Sequence, residues 1–162
     1  FSSTVSFRSL KEETISIDDV TVKTIQLNHP GRCLGYRVEY KNKSICYITD
    51  NELYLKDDKQ RYNQHEVDRL IDFIKGTDVL IIDSTYTDTE YPKKVGWGHS
   101  HYLFTLKLAA VANVKKLFLF HHEPNRSDDK VDEIVERCLN EIKTNDYSFE
   151  CFAASEGLEV TF

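Results

Sequence analysis

Gly98-His99-Ser100-His101 opens the stretch that decides the fold, and Phe120-His121-His122-Glu123-Pro124 closes it. Between them Leu103, Leu106, Leu108, Ala109 and Val111 recur at helical spacing. The pattern predicts a helix over 100–114 with Ser100 as its cap. Lys116-Leu117-Phe118-Leu119-Phe120 then reads as a buried strand. A helix bracketed by a histidine before it, and a strand by a histidine after it, brings both histidines to one edge of a βα layer. Active sites of open α/β sheets collect at that edge.

Working upstream, 78–83 is a short apolar strand bounded by Asp78 and Asp83. The residues before it predict a helix over 64–75, from Val67, Leu70, Ile71 and Ile74, stopped by Gly76. Further back, the alternating runs 14–17, 20–27, 35–40 and 44–49 read as two β-hairpins. The second hairpin turns across Lys41-Asn42-Lys43. Downstream, Ser127-Asp128-Asp129 caps a last helix running to about 144, whose core face is Val131, Ile134, Val135, Cys138 and Ile142. Strands are predicted at 149–152 and 158–162. Hairpins followed by alternating helix and strand define an α/β protein with a mixed sheet and helices on its outer face.

The chain has 162 residues, enough for one domain with a real core and too few to suggest two. A net charge of −6 argues against a general binder of phosphate backbones, which needs a basic face. No apolar run reaches the ~20 residues that cross a bilayer, and no signal peptide opens the chain. The expected setting is cytoplasmic, with no membrane partner. Cys33, Cys46, Cys138 and Cys151 form no C-x-x-C pair and are read as free thiols. The absence of methionine and the start at Phe1 suggest a piece of something longer. The hairpins are not polar enough on both faces to stand alone, which fits a half-domain that lacks its packing partner.

His29, Asp50, Asp83, His99 and His121 all fall at or just past strand ends. Imidazole and carboxylate together are the ligand set of zinc, manganese or iron. The loop 84–98 is long for a compact domain and carries Tyr86, Tyr91 and Trp97, as expected beside a site.

The ordered series His29-Pro-Gly-x-x-x-Gly-Tyr-Arg, Tyr-Ile-Thr-Asp50, Leu-Ile-Ile-Asp83-Ser-Thr-Tyr, Gly-His99-Ser and Leu-Phe-His121-His-Glu-Pro resembles the metallo-β-lactamase-fold hydrolases. Within them it is most similar to the phosphodiesterase branch that includes ribonuclease Z. The resemblance runs from about residue 14 to 128. It implies that residues 1–162 are the C-terminal half of an αββα sandwich. It implies His29, Asp50 and His121 as metal ligands, with Asp50 bridging two divalent ions, zinc first among the options. It implies His99 as the group that protonates a leaving oxygen and Asp83 as its orienting acid. From their own positions, in the loop beside the site and next to His121, Tyr86, Trp97 and His122 are read as substrate-facing residues.

The implied activity is metal-dependent hydrolysis of a phosphodiester, with a metal-bridging hydroxide as nucleophile. The His-x-His-x-Asp-His string of the family is absent from this sequence. Gly-His99-Ser-His101 replaces Gly-His-Ser-Thr, and His122-Glu123 stands where ribonuclease Z has a neutral pair. The expected partners are therefore a small nucleotide-like phosphodiester and the missing N-terminal half, on the same or a second chain; a homodimer is a further option. The chain alone is expected to be inactive. A regulatory or interaction module that keeps the fold without a complete metal site is the alternative, and a domain holding a small anion without metal is the blander one.

Overall fold

The computed structural model describes residues 4–161. Its centre is one seven-stranded sheet in simple sequence order. The strands are β1 (Thr14–Ile17), β2 (Val20–Gln26), β3 (Leu34–Tyr40), β4 (Lys43–Ile48), β5 (Val79–Asp83), β6 (Lys116–Phe120) and β7 (Glu150–Ala153). The first four pair antiparallel, and β4 to β7 pair parallel. The helices α1 (Gln64–Ile74), α2 (Tyr102–Val111) and α3 (Asp128–Thr144) make the crossovers. The mixed sheet with helical crossovers is the architecture the sequence predicts.

The hairpin between β3 and β4 is tighter than expected. Lys41 and Asn42 both take positive φ, so the turn closes in two residues and Lys43 joins the strand. The helix α2 is also shorter at both ends than the periodicity predicts. Its N-cap residue is His101, not Ser100. It ends because Asn113 adopts φ 53°, a left-handed stop that lets the Val114 N–H reach back to the Ala109 carbonyl. Ser127 occupies the N-cap of α3 as predicted, without a side-chain cap bond. The strand expected at 158–162 does not form over the described residues 158–161; Phe162 lies outside them. Gly157, at φ 76°, turns the tail, and Leu158 and Val160 come to line a groove on the sheet face with Tyr47 and Phe120.

Alternation along the central strands assigns two faces. Cys46, Ile48, Leu80, Ile82, Leu117 and Leu119 are buried to within 1% and meet the helices in the main core. Burying each such side chain is worth about 1.5–3 kcal/mol. The opposite face carries Ile45, Tyr47, Ile81, Phe118 and Phe120. No helix of the described residues covers it, and Tyr47 and Phe152 remain more than a third exposed.

The parallel pairing places the C-terminal ends of β4, β5 and β6 side by side, with Ile48 opposite Ile82 and Asp83 opposite Phe120. The strand β2 runs in the same direction, since two antiparallel steps separate it from β4. The segments bearing His29, Asp50, Asp83 and His121 therefore leave the sheet at one edge.

Candidate metal centre

At that edge Asp50, Asp83, His99 and His121 each offer a ligand atom, and these atoms lie within 4.8 Å of one another. Two backbone features aim them. Asp50 has φ 52° and His121 has φ 59°, a region that non-glycine residues rarely occupy. Both residues turn the chain sharply just as it leaves a strand. Strain of this kind costs of order 1–3 kcal/mol per residue and persists only where the surroundings enforce it.

Asp83 does the enforcing. Its side chain is fully buried. Oδ1 accepts from the Thr85 amide at 3.1 Å and the Thr85 hydroxyl at 2.8 Å. Oδ2 accepts from the Asn51 amide at 3.1 Å and from His99 Nδ1 at 2.7 Å. The bond to Asp83 raises the His99 pKa, against the opposing effect of burial. With Nδ1 committed to Asp83, Nε2 is the free nitrogen of His99.

Thr85 reaches across to β6. Its hydroxyl lies 2.7 Å from the His121 carbonyl and 3.1 Å from His121 Nδ1. Assigning the ring proton to Nδ1, so that it donates to Thr85, leaves His121 Nε2 bare. That nitrogen sits 3.0 Å from Asp50 Oδ1. Two acceptors facing each other at this distance suit a cation between or beside them. His99 stacks on His121 with ring centroids 4.6 Å apart. The donors present thus fit a divalent metal, with Asp83 already saturated by hydrogen bonds and better suited to orienting His99 than to direct ligation.

The other expected residues are placed as follows. The His29 ring is 5.5 Å from the His99 ring and is not in the group of four. Its Nδ1 accepts from the Gly31 amide at 3.1 Å. Tyr86 is buried with its ring 6.2 Å from His99. Trp97 is 58% exposed and carries Lys94 Nζ 3.7 Å over its ring. His122 stands apart: its Nε2 is enclosed with no partner, and burial followed by the Arg126 charge lowers its pKa.

The residues that sequence reasoning missed are the braces. Ser100 is not a helix cap. Its buried hydroxyl donates to the Asn51 carbonyl at 2.7 Å and accepts from the Leu53 amide at 2.9 Å. Asn51 Oδ1 accepts from the Asn28 amide at 3.0 Å. These bonds tie the segments bearing His29, Asp50 and His99 together. No sequence period marks them, because they join irregular segments.

Fold and site together define the class, an α/β sheet with a His/Asp centre at the carboxyl edge of its parallel strands. The profile of the beta-lactamase superfamily domain matches residues 4–122, most of the chain, and the chain belongs to that family. Ribonuclease Z of Thermoplasma volcanium is 27% identical over 156 residues, covering 72% of this chain and 50% of that protein. Ribonuclease Z of Thermoplasma acidophilum is 38% identical over 66 residues, covering 40% of this chain and 21% of that protein. The chain thus spans half or less of these relatives. Among solved structures, the metallo-beta-lactamase fold protein YhfI of Bacillus subtilis superposes with a TM-score of 0.68 at 20% identity, over 91% of this chain and 50% of that one. Human tRNase Z, short form, gives 0.62 at 17% identity, over 93% and 47%. These likenesses establish the fold.

His101 tests how the site's wall is built. Its ring is buried 3.7 Å from Phe104 and 5.4 Å from Tyr91, with Nδ1 unpartnered. Burial lowers its pKa to about 4. The folded state therefore excludes a proton that the unfolded state binds below about 6.5. Stability is expected to fall as pH drops from about 6.5 to about 4, because unfolding then takes up a proton. In urea titrations the fall should be shallower for His101→Phe than for the parent protein. Equal slopes would contradict this account.

Proposed function

We propose that the protein is a metal-dependent hydrolase of phosphodiesters. The observation that carries this reading is the group Asp50, Asp83, His99 and His121, with its free nitrogens converging at the carboxyl edge of the sheet. Asp50 and His121 would be the ligands in this reading. His29 flanks the group, on the side where it lies beside His99. Divalent ions held there, zinc first and manganese or iron as alternatives, would supply Lewis-acid charge and a hydroxide at neutral pH.

This chain's own residues do the rest. Asp83 fixes the Nδ1 proton of His99 and turns Nε2 toward the group. Protonated there, His99 donates to the departing oxygen, a contribution of about 10²–10⁴-fold. Tyr86 and Trp97 wall the approach, and Lys94, whose Nζ lies 6.0 Å from the Tyr86 ring, supplies positive charge. An exposed indole next to a cation suits a substrate that carries both a base and a phosphate. The relatives named ribonuclease Z, and a neighbour titled as a diphosphatase from the PhnP family with a TM-score of 0.62 at 16% identity, support phosphate chemistry.

The sheet face that no helix covers, where Tyr47 and Phe152 remain more than a third exposed, supports a partner half packed there, from the same or a second chain. That half would bring the remaining ligands, since the His-x-His-x-Asp-His string is missing from residues 1–162. On this reading the 162 residues alone bind metal weakly and are inactive. A cytoplasmic setting is supported by four free cysteines. No helix of the described residues is long and apolar enough to cross a membrane.

The full-length protein tests this directly. Asp50→Ala and His121→Ala should lose bound metal by elemental analysis. His99→Ala should keep it, while turnover of bis(4-nitrophenyl) phosphate drops by about 10²–10⁴-fold. Normal metal content in Asp50→Ala, or no hydrolysis by the metal-loaded parent, would overturn the reading.

The substrate wall has its own test, because Trp97 is the only tryptophan in the sequence. A diribonucleoside monophosphate should quench tryptophan emission, and that quench should be lost in Trp97→Phe. Lys94→Ala should weaken binding by about 3–30-fold. Emission that does not respond at saturating ligand removes Trp97 from the pocket.

A further inference from the structure

Glu52 is buried to 2% exposure, two residues past Asp50, and has no part in the proposed chemistry. Its carboxylate is met by N–H and O–H donors. Oε1 accepts from the Tyr91 hydroxyl at 2.9 Å and the Gly96 amide at 2.8 Å, and Oε2 accepts from the Gly98 amide at 2.8 Å. Its backbone pairs with Asn28 in both directions. The Glu52 amide donates to the Asn28 carbonyl at 2.8 Å, and Asn28 Nδ2 donates to the Glu52 carbonyl at 2.8 Å. One residue therefore touches the segments that carry His29, Asp50 and His99.

The glycines explain how the loop reaches it. Gly96 and Gly98 hold φ 87° and 93°, a conformation that side chains disfavour. It turns both amides toward the carboxylate. A Cβ on Gly98 would stand 2.3 Å from His29 Cδ2 and 2.7 Å from Pro30 Cδ. The loops of His29 and His99 are thus in backbone-to-ring contact, held there by the Glu52 clasp.

We propose that Glu52 is a positioning residue, which fixes the His99 loop against the His29 and Asp50 segments before any ligand arrives. Its effect on turnover rests on the hydrolase reading; its effect on the loop does not. The physical argument is a count of acceptors. A carboxylate offers two oxygens to the three donors. The amide of a glutamine offers one oxygen, and its NH2 group would face an N–H it cannot accept. The Gly98 amide, one residue before His99, has no other partner and loses its acceptor.

The test uses hydrogen exchange and kinetics on the full-length protein. In Glu52→Gln, exchange at the Gly98 amide should accelerate at least about tenfold, while Leu80 and Leu117 in the sheet stay as in the parent. With bis(4-nitrophenyl) phosphate, kcat should fall by about 10–100-fold with KM and metal content little changed, the signature of a displaced His99. Tyr91→Phe removes one donor and leaves both glycine amides held, so it should lower Tm while exchange at Gly98 stays as in the parent. Should Glu52→Gln not fold, Glu52→Asp, one methylene shorter, gives the same exchange readout. Exchange at Gly98 unchanged in the variant, or accelerated equally throughout the sheet, would overturn the proposal. If the parent shows no hydrolysis, the hydrolase reading fails and the exchange comparison still decides the clasp.

Discussion

A carboxylate buried to zero exposure must have every lone pair engaged, and Asp83 is such a carboxylate. Everything else at the sheet edge follows from satisfying it. The Asn51 amide has to arrive from the β4 end, and this forces the turn at Asp50. Thr85 has to fold back, and its hydroxyl then anchors His121. His99 has to come from a loop that has no secondary structure of its own. Two segments distant in sequence, at Asn51 and His99, are thereby held on one strand-end residue, and Thr85 carries the link on to His121. The sheet supplies direction, and Asp83 supplies convergence.

Strain and bracing are two sides of one arrangement. Asp50 and His121 both hold positive φ without being glycine. Each would relax if its neighbours let go. The bonds that prevent this are the Asp83 contact to Asn51 and the single Thr85 hydroxyl proton, shared between Asp83 Oδ1 and the His121 carbonyl. Stability is thus committed to holding Asp50 Oδ1 and His121 Nε2 face to face, which gains little for the fold by itself. A pair so placed makes physical sense where a cation or a proton is to sit.

Much of this was legible beforehand, and the boundary between what was and was not has a physical basis. Strands such as Lys116–Phe120 and helices such as Gln64–Ile74 announce themselves through period, because burial acts on every residue of a regular element. The strand-end positions of Asp50, Asp83 and His121 follow once the strands are known. Ser100 was misassigned because Ser before a helix pattern reads as a cap, whereas here tertiary bonds to Asn51 and Leu53 take its hydroxyl and His101 takes the cap position. Glu52 was invisible for a related reason. A glutamate after an aspartate reads as surface, and its burial depends on two glycine amides more than forty residues away. The exclusion of His29 from the group of four is likewise set by loop packing against Gly98, which has no period to detect.

The two faces of the sheet argue the remaining point. The helix side is closed by Ile48, Leu80 and Leu117, packed as a finished core. The other side carries Tyr47, Ile81 and Phe120 on the three adjacent parallel strands β4, β5 and β6, and among the described residues the tail from Ala154 to Val160 lies along it. A contiguous apolar surface of this kind marks an interaction site more often than a resting surface. The same half-finished character holds at the edge, where His121 and Asp50 face each other and His29 waits to the side. A second layer over Phe118 and Phe120 would extend to the end of β6, where His121 stands.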